Sequence, residues 1–250
     1  PHPDFDTRLL RTANDTQAQG TSPGSGGHGT HVAGIIGGSG AQSVAQCPYG
    51  GGCTAFQMRG MAPRVGIIPY NSGWNAGTMA QAVNTFSMKV SNHSYVMACG
   101  AYNNDARTVD QLVRGDLQSG GSAIPRHSAV WAAANQGTGA QWCTTGTLPG
   151  GGADPATGPR GYYSVLSPAK NQIVVGALNP SSNAALRASS SRGPTWDGRL
   201  KPDVMGIGCE QSTYAWVPGD TTGATGNGYT SKCGTSMASP SVAGVVALMT

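Results

Sequence analysis

Short apolar runs alternate with helical patterns along the chain, and this alternation predicts its fold class. Apolar side chains recur at helical spacing over residues 79–90 and again over 109–117. Strands that alternate with helices indicate an α/β fold, with a central parallel sheet that carries helices on both faces. The brief apolar runs that predict buried strands are 65–70, 90–96, 129–134 and 172–178.

A further helical pattern lies at the carboxyl end of the sequence. Val242, Val245, Val246 and Met249 stand at positions i, i+3, i+4 and i+7. This spacing predicts an apolar helix that begins near Ser236 and continues through the final residues.

Polar residues beside these elements are candidates for chemistry, because reactive groups in parallel sheets collect where strands end and helices begin. Asn135 directly follows the predicted strand 129–134, and Ser236 stands at the start of the apolar helix. Taken alone, Ser236 is explained by helix capping and Asn135 by a turn. The same serine can instead be a nucleophile, because free N–H groups at a helix N-terminus stabilise an oxyanion.

Two histidines stand three residues apart in the stretch GGHGTHVAGIIGG, residues 26–38. Residues three apart share a helix face, so His28 and His31 could hold a zinc ion together. A neutral imidazole is also the common general base for a serine nucleophile, which makes His28 a candidate partner of Ser236. The spacing alone leaves both interpretations open.

Composition narrows the classes of function. The net charge is +4, charged residues make up 10% of the 250 residues, and no cluster of Lys and Arg occurs. This balance argues against nucleic acid as a partner. The longest apolar run outside the motifs has six residues, 129–134, whereas a membrane-spanning helix needs about 20. The sequence therefore predicts a soluble protein with a single α/β domain.

The six cysteines favour disulfide bonds in an oxidising compartment over free thiols. None of them forms a C-x-x-C pair of the kind that zinc or redox sites use. The pairing stays open among about 15 alternatives. Cys47 and Cys53 are the easiest pair to close, because Pro and Gly between them favour a turn.

Four longer motifs carry a resemblance to a known family. The stretches GHGTHVAG, AAANQGTG, SSSRGPTWDGRLKPDV and GTSMASPSVAG resemble the histidine, oxyanion, connecting and serine motifs of the subtilisin-like serine proteases (peptidase S8 family), in that family's chain order. MAPRVGIIPY and NNDARTVDQLVR look most like its KP-43-like branch. The resemblance implies a subtilisin-like catalytic domain over residues 1–250, with serine endopeptidase activity.

The resemblance also implies roles for individual residues. Ser236 would be the nucleophile and His28 the general base and acid. Asn135, with the backbone N–H of Ser236, would form the oxyanion hole. His31 would pack within its helix, which removes the zinc interpretation.

Substrate-binding positions follow from the same motifs. The stretch SYV matches the strand that pairs with the substrate backbone, and AAA matches the opposite wall of the S1 pocket. Two further residues would border the P2 to P4 subsites. These positions are Ser94, Tyr95 and Val96 in the strand, Ala132, Ala133 and Ala134 in the wall, and Gly73 and Trp74 at the outer subsites.

Partners and cofactors are implied more coarsely. The family's chemistry needs no cofactor and acts on protein or peptide substrates, with its own pro-segment as a further partner. We expect a secreted monomer. The metal ligands are unknown: Asp4 matches a position that can bind structural calcium, but the matching downstream loop is replaced by a cysteine-bearing insertion, so calcium stays open.

The sequence departs from the family pattern in its acidic residue. The triad aspartate belongs to an Asp-Thr-Gly or Asp-Ser-Gly motif upstream of HPDF, and Asp4, Asp6 and Asp15 do not lie in such a motif. We therefore expect an incomplete catalytic domain, lacking the Asp-bearing strand and a C-terminal part, that is inactive alone. The alternative is a catalytically inactive, subtilisin-like peptide-binding domain.

Two other departures concern the cleft. Val96 and Ala134 stand where the family commonly has glycine, which predicts narrower cleft walls. Disulfide bonds are expected between Cys209 and Cys233, beside the nucleophile, and between Cys99 and Cys143, beside S1.

Overall fold

The computed structural model describes most of the chain. The described residues are 3–10, 28–47, 52–70, 76–97, 100–119, 122–137, 164–180, 183–208, 217–218 and 228–250. The helices within them are a 3-10 turn at Pro3–Phe5, α1 (His28–Gly37), α2 (Ala76–Phe86), α3 (Asn104–Arg114) and α4 (Thr235–Leu248). The strands are β1 (Val90–His93), β2 (Gln118–Ser119), β3 (Ser122–Ala123), β4 (Ser128–Ala132), β5 (Ile173–Leu178), β6 (Val204–Ile207), β7 (Val217–Pro218) and β8 (Tyr229–Thr230).

A parallel sheet forms the centre, with the strand order β1-β4-β5-β6. Its register aligns Asn92 with Val130, and Val175 with Val204. The other strands form two short antiparallel pairs, β2 with β3 and β7 with β8.

Helices cover both faces of this sheet, as the alternating pattern predicts. Trp131 of β4 packs with Val109 of α3 on one face. The neighbouring Val130 packs with Ala238 of α4 on the other face. Successive side chains of a strand point to opposite faces, so β4 contributes to both cores. The α/β fold with a parallel sheet between helices is therefore confirmed.

Helix α3 shows how local sequence sets these elements. Asn103 caps its start, where the side-chain oxygen accepts the N–H of Ala106 at 3.0 Å. Gly115 ends it at φ 77°, in the left-handed region that favours glycine. Between the caps, Val109 and Leu112 are fully buried. The second of these packs against α2, which orders the helical layer on that face.

The structure corrects several element boundaries. The predicted strand 65–70 is wrong. Among the described residues, only Ile67 of this run pairs with another segment, through a single bridge to Leu9. Strand β6 was missed by the sequence pattern. The helical pattern 79–90 ends at Phe86, and Val90 begins β1 instead. Helix α4 ends at Leu248 rather than running through the final residues.

Disulfide bonding is confirmed at the predicted turn. Cys47 and Cys53 are bonded, with their Cα atoms 5.5 Å apart. Cys233 is also disulfide-bonded. The three other cysteines, one of which is its partner, lie outside the described residues, so the two remaining pairings stay predictions.

Within the described residues, the helices fall short of the length and apolar character that a bilayer span requires.

Candidate active site

Helix α4 begins beside the carboxyl end of β4, and a glycine makes this approach possible. Gly234 precedes the helix at φ 138°, a backbone conformation that other residues rarely adopt. A β-carbon added there would lie 3.1 Å from both the oxygen and the nitrogen of the Asn135 amide. Glycine thus lets the side chain of Asn135 pack directly on the turn that leads to Ser236.

The Asn135 amide has a defined orientation. Its Oδ1 accepts the backbone N–H of Thr235 at 2.8 Å and the Thr235 hydroxyl at 3.2 Å. A backbone N–H can only donate, so the atom facing it must be the oxygen. The Nδ2 group therefore faces away from Thr235, and Asn135 is exposed.

Among the described residues, not all of the first backbone N–H groups of α4 donate a hydrogen bond. Thr235 donates to Asn135, while Met237 and Ala238 both donate to the carbonyl of Gly234. No hydrogen bond within the described residues uses the N–H of Ser236. This group belongs to the set that a helix leaves unsatisfied at its N-terminus, and it lies next to the serine hydroxyl.

Ser236 exchanges hydrogen bonds with Ser94, which follows β1. The Ser236 hydroxyl donates to the backbone carbonyl of Ser94 at 3.2 Å. The Ser94 hydroxyl donates to the backbone carbonyl of Ser236 at 2.9 Å. Strand β1 and helix α4 are therefore joined at the predicted nucleophile.

A cavity of about 290 Å³ lies between these elements. It brings together six of the predicted residues, four from the cleft walls and two from the reactive centre, and two residues that the sequence interpretation missed, Gln136 and Thr235. Ala133 does not line it, since this side chain is buried in a core with Val165 and Val174. The lining residues are Tyr95, Val96, Ala132, Ala134, Asn135, Gln136, Thr235 and Ser236.

His28 is the first residue of α1 and is partly exposed. Helix α1 packs against α4 through Ile35 and Met237, which brings the two helices together. Burial lowers the pKa of His28, and the positive charge of Lys232 lowers it further. Among the described residues, no hydrogen bond joins His28 to Ser236, and no carboxylate contributes to the pKa shift of His28.

The remaining metal candidates are engaged elsewhere. His31 is fully buried, three residues along the helix from the partly exposed His28. The buried carboxylate of Asp4 accepts the N–H groups of Gly40 and Gln42 at 3.0 and 3.1 Å and the hydroxyl of Tyr229 at 2.9 Å. Among the described residues, no group of three His, Cys, Asp or Glu side chains is placed to hold a metal ion.

Three aromatic side chains cluster beside the cavity: His93 and Trp131 are buried, and Tyr95 lines the cavity. The ring of His93 stacks on Trp131, with centroids 3.8 Å apart, and its Nδ1 lies 2.7 Å from the hydroxyl of Tyr95. The indole N–H of Trp131 donates to the carbonyl of Tyr95 at 2.8 Å. Burial lowers the pKa of His93 to about 3, so this imidazole is neutral. Its contacts could not be inferred from the sequence motifs.

Two of the predicted substrate-binding positions, Gly73 and Trp74, lie outside the described residues. Asp15, which is not assigned a role, lies outside them too.

The chain is similar to known proteases along its whole length. The model of the Subtilase family matches residues 1–250. The serine protease AprX of Bacillus subtilis (strain 168) is 29% identical over 271 residues, which cover 100% of this chain and 54% of that protein. The chain thus spans about half the length of this relative.

Solved structures show the same fold. The prenylagaramide maturation protease PagA superposes with a TM-score of 0.55 at 20% identity, covering 99% of this chain and 70% of that one. A cold-adapted subtilisin-like serine proteinase gives a TM-score of 0.52 at 24% identity, with the same coverage. Together with the family match over all 250 residues, these similarities lead to one conclusion: the chain belongs to the subtilase family of serine peptidases.

Proposed function

We propose that this protein is a serine endopeptidase that cleaves peptide bonds through an acyl-enzyme on Ser236. One observation carries the proposal. Ser236, whose N–H is unused among the described residues, and Asn135, whose Nδ2 faces away from Thr235, line one cavity. A nucleophile beside hydrogen-bond donors is the arrangement that acyl transfer needs.

The steps follow from these groups. Ser236 Oγ attacks the carbonyl carbon of the substrate and passes its proton to His28. The carbonyl oxygen becomes an oxyanion, which accepts hydrogen bonds from Asn135 Nδ2 and the Ser236 N–H. When the intermediate collapses, the C–N bond breaks and His28 protonates the leaving amine. Water then releases the acyl group by the same steps in reverse, so the chemistry requires no cofactor.

The base must be neutral at the start of this cycle. Burial and the nearby Lys232 both lower the pKa of His28, which keeps the imidazole unprotonated down to a lower pH than a free histidine. In the structure the Ser236 hydroxyl donates to the Ser94 carbonyl. The hydroxyl therefore has to turn toward His28 before it reacts.

The substrate backbone would pair with residues 94–96 by strand addition. Within the described residues, no hydrogen bond uses the N–H or the carbonyl of Val96, whereas the carbonyl of Tyr95 is held by Trp131. Alternate residues of an extended segment face the same way. Val96 therefore offers its N–H and carbonyl to a peptide, opposite the wall that includes Ala134. The carbonyl of Ser94 becomes available to the peptide once the Ser236 hydroxyl turns away from it.

The setting and the branch of the family are part of the proposal. The bond between Cys47 and Cys53 and the disulfide-bonded Cys233 support an oxidising compartment, and hence a secreted protein. We assign the chain to the KP-43-like branch on the motifs named above, with protein or peptide substrates and its own pro-segment as partners. A monomer and a structural calcium ion remain expectations.

Peptide hydrolysis by the full-length protein tests the proposal. A mixture of quenched fluorescent peptides should be cleaved, and Ser236→Ala should abolish the cleavage. Ser241→Ala is a matched control, because this hydroxyl lies on the same helix and donates to the carbonyl of Ala238. Activity that survives Ser236→Ala would contradict the proposal. Peptide binding without cleavage would identify the inactive peptide-binding domain instead.

A further inference from the structure

A directed chain of hydrogen bonds runs from the interior of α4 back to Ser236 by way of β1. The buried hydroxyl of Ser239 donates to Asn92 Oδ1 at 2.8 Å. Asn92 Nδ2 donates to the Ser94 hydroxyl at 3.0 Å. That hydroxyl donates to the carbonyl of Ser236 at 2.9 Å. In this series of hydrogen bonds, each side chain directs its donor or acceptor atoms at specific partners. The hydrogen bonds therefore fix the rotamer of each of these side chains.

Pro240 explains why the Ser236 carbonyl needs this partner. In a regular helix, the carbonyl of residue 236 accepts the N–H of residue 240, four positions later. Pro240 lies inside α4 and has no N–H to donate. The Ser94 hydroxyl occupies the position that the missing donor leaves.

Both ends of this hydrogen-bond chain lie in regular secondary structure. Asn92 lies within β1, opposite Val130 of the neighbouring strand. Ser239 is fully buried in α4. A deviation of about 1 Å at a reacting atom can cost about 10²-fold in rate. An anchor on the carbonyl of Ser236 limits the movement of its Cα atom, to which both the hydroxyl-bearing side chain and the N–H group are attached.

We propose that Asn92, Ser94 and Ser239 are positioning residues, which hold the backbone of Ser236 where its hydroxyl and N–H meet the substrate carbonyl. This role rests on the proposed function of Ser236. Ser94 and Ser239 do not line the substrate cavity. We therefore expect their substitution to change the rate of the chemical step rather than substrate binding.

Ser94→Ala in the full-length protein should lower kcat by about tenfold or more, with KM changed less than about twofold. Ser94→Thr keeps a hydroxyl on the β-carbon and should recover most of the loss. Ser239→Ala should lower kcat in the same direction by a smaller factor. Ser241 is not part of this series of hydrogen bonds, so Ser241→Ala should leave kcat unchanged.

Pro240→Ala supplies a sharper test. It returns an N–H to position 240, which can bond to the Ser236 carbonyl in place of Ser94. Adding it to Ser94→Ala should therefore raise kcat, which a loss caused by misfolding would not show. Thermal midpoints of all variants are compared to separate folding from positioning.

The outcomes distinguish this proposal from the one it rests on. Hydrolysis that does not depend on Ser236 would overturn the proposed function. Hydrolysis that depends on Ser236 but is unchanged in Ser94→Ala and Ser239→Ala would overturn the positioning role alone. An equal loss in Ser94→Thr and Ser94→Ala would also overturn it, because the hydroxyl would then not be the cause.

Discussion

The nucleophile and the base of the proposed site are held in different ways. Ser236 and Asn135 are fixed by hydrogen bonds from Ser94 and Thr235. His28 has no hydrogen bond to Ser236, and its pKa responds to burial and to Lys232 rather than to a carboxylate. The sheet and helix α4 therefore hold Ser236 and Asn135 in place where they meet. The described residues do not supply a group that would orient the base, His28.

The largest expected effect concerns a carboxylate that orients the base, which the described residues do not supply. An imidazole without an orienting carboxylate loses about 10⁴-fold in rate, because its tautomer is not fixed. The sequence has no Asp-Thr-Gly or Asp-Ser-Gly motif, so we predict that residues 1–250 by themselves show little turnover. Extending Pro1 with a strand that carries the Asp-Thr-Gly motif should raise kcat by about 10⁴-fold, measured with the same fluorescent peptides. The same extension with Asn for Asp is the control. Robust turnover by the unextended chain would show that the base is already oriented.

The next effect tests the preorganised half. Asn135→Ala removes one oxyanion donor and should lower kcat by about 10²- to 10³-fold, with little change in KM. Thr235→Val keeps the backbone N–H that orients the amide and loses the weaker hydroxyl contact, so a smaller decrease is expected. Steady-state kinetics of both variants in the full-length protein measures the difference. An Asn135→Ala variant that loses affinity but keeps kcat would place Asn135 in ground-state binding.

A smaller effect concerns the charge beside the base. Lys232 lowers the pKa of His28 because a neighbouring positive charge disfavours the imidazolium. Lys232→Met should therefore raise this pKa and move the acid limb of kcat/KM to higher pH. Lys89→Met, an exposed lysine before β1, is the control and should leave the profile unchanged. An acid limb that does not move would show that the lysine charge does not reach the base.

The smallest effect concerns the wall of the cleft. Ala134 has φ 89°, which is strained for a residue with a β-carbon. Ala134→Gly should stabilise the fold by about 0.5 to 1 kcal/mol and admit larger side chains beside Ser236. Ala133→Gly, in the buried core, should instead lower the thermal midpoint. Denaturant unfolding and cleavage of peptides that differ in one side chain measure both effects, and an unchanged preference would exclude Ala134 as a limiting wall.

Sequence patterns anticipate those parts of the molecule that are locally encoded. Helical periodicity identifies α3 and α4, and apolar runs identify β4 and β5. The apolar run 65–70 gave a wrong strand prediction, because a strand also needs a neighbouring segment to pair with. Among the described residues, only Leu9 pairs with this run. Strand β6 was missed because its side chains are largely exposed and form no buried apolar run.

The site depends on contacts between distant residues, and these are less visible in the sequence. Motifs identify Ser236, His28 and Asn135 as candidates. The orientation of the Asn135 amide, however, is set by Thr235, 100 residues away. The bonds between Ser94 and Ser236 span 142 residues. No local pattern predicts either contact, since both arise where the sheet meets α4.

Labelling with a fluorophosphonate probe tests the central claim most directly, because the probe reacts with an activated serine and requires no peptide substrate. The full-length protein is treated with the probe, digested and mapped by mass spectrometry. The account predicts a single label on Ser236, which His28→Ala slows strongly and Ser241→Ala leaves unchanged. An unlabelled Ser236, or a label that forms equally fast in His28→Ala, would contradict it.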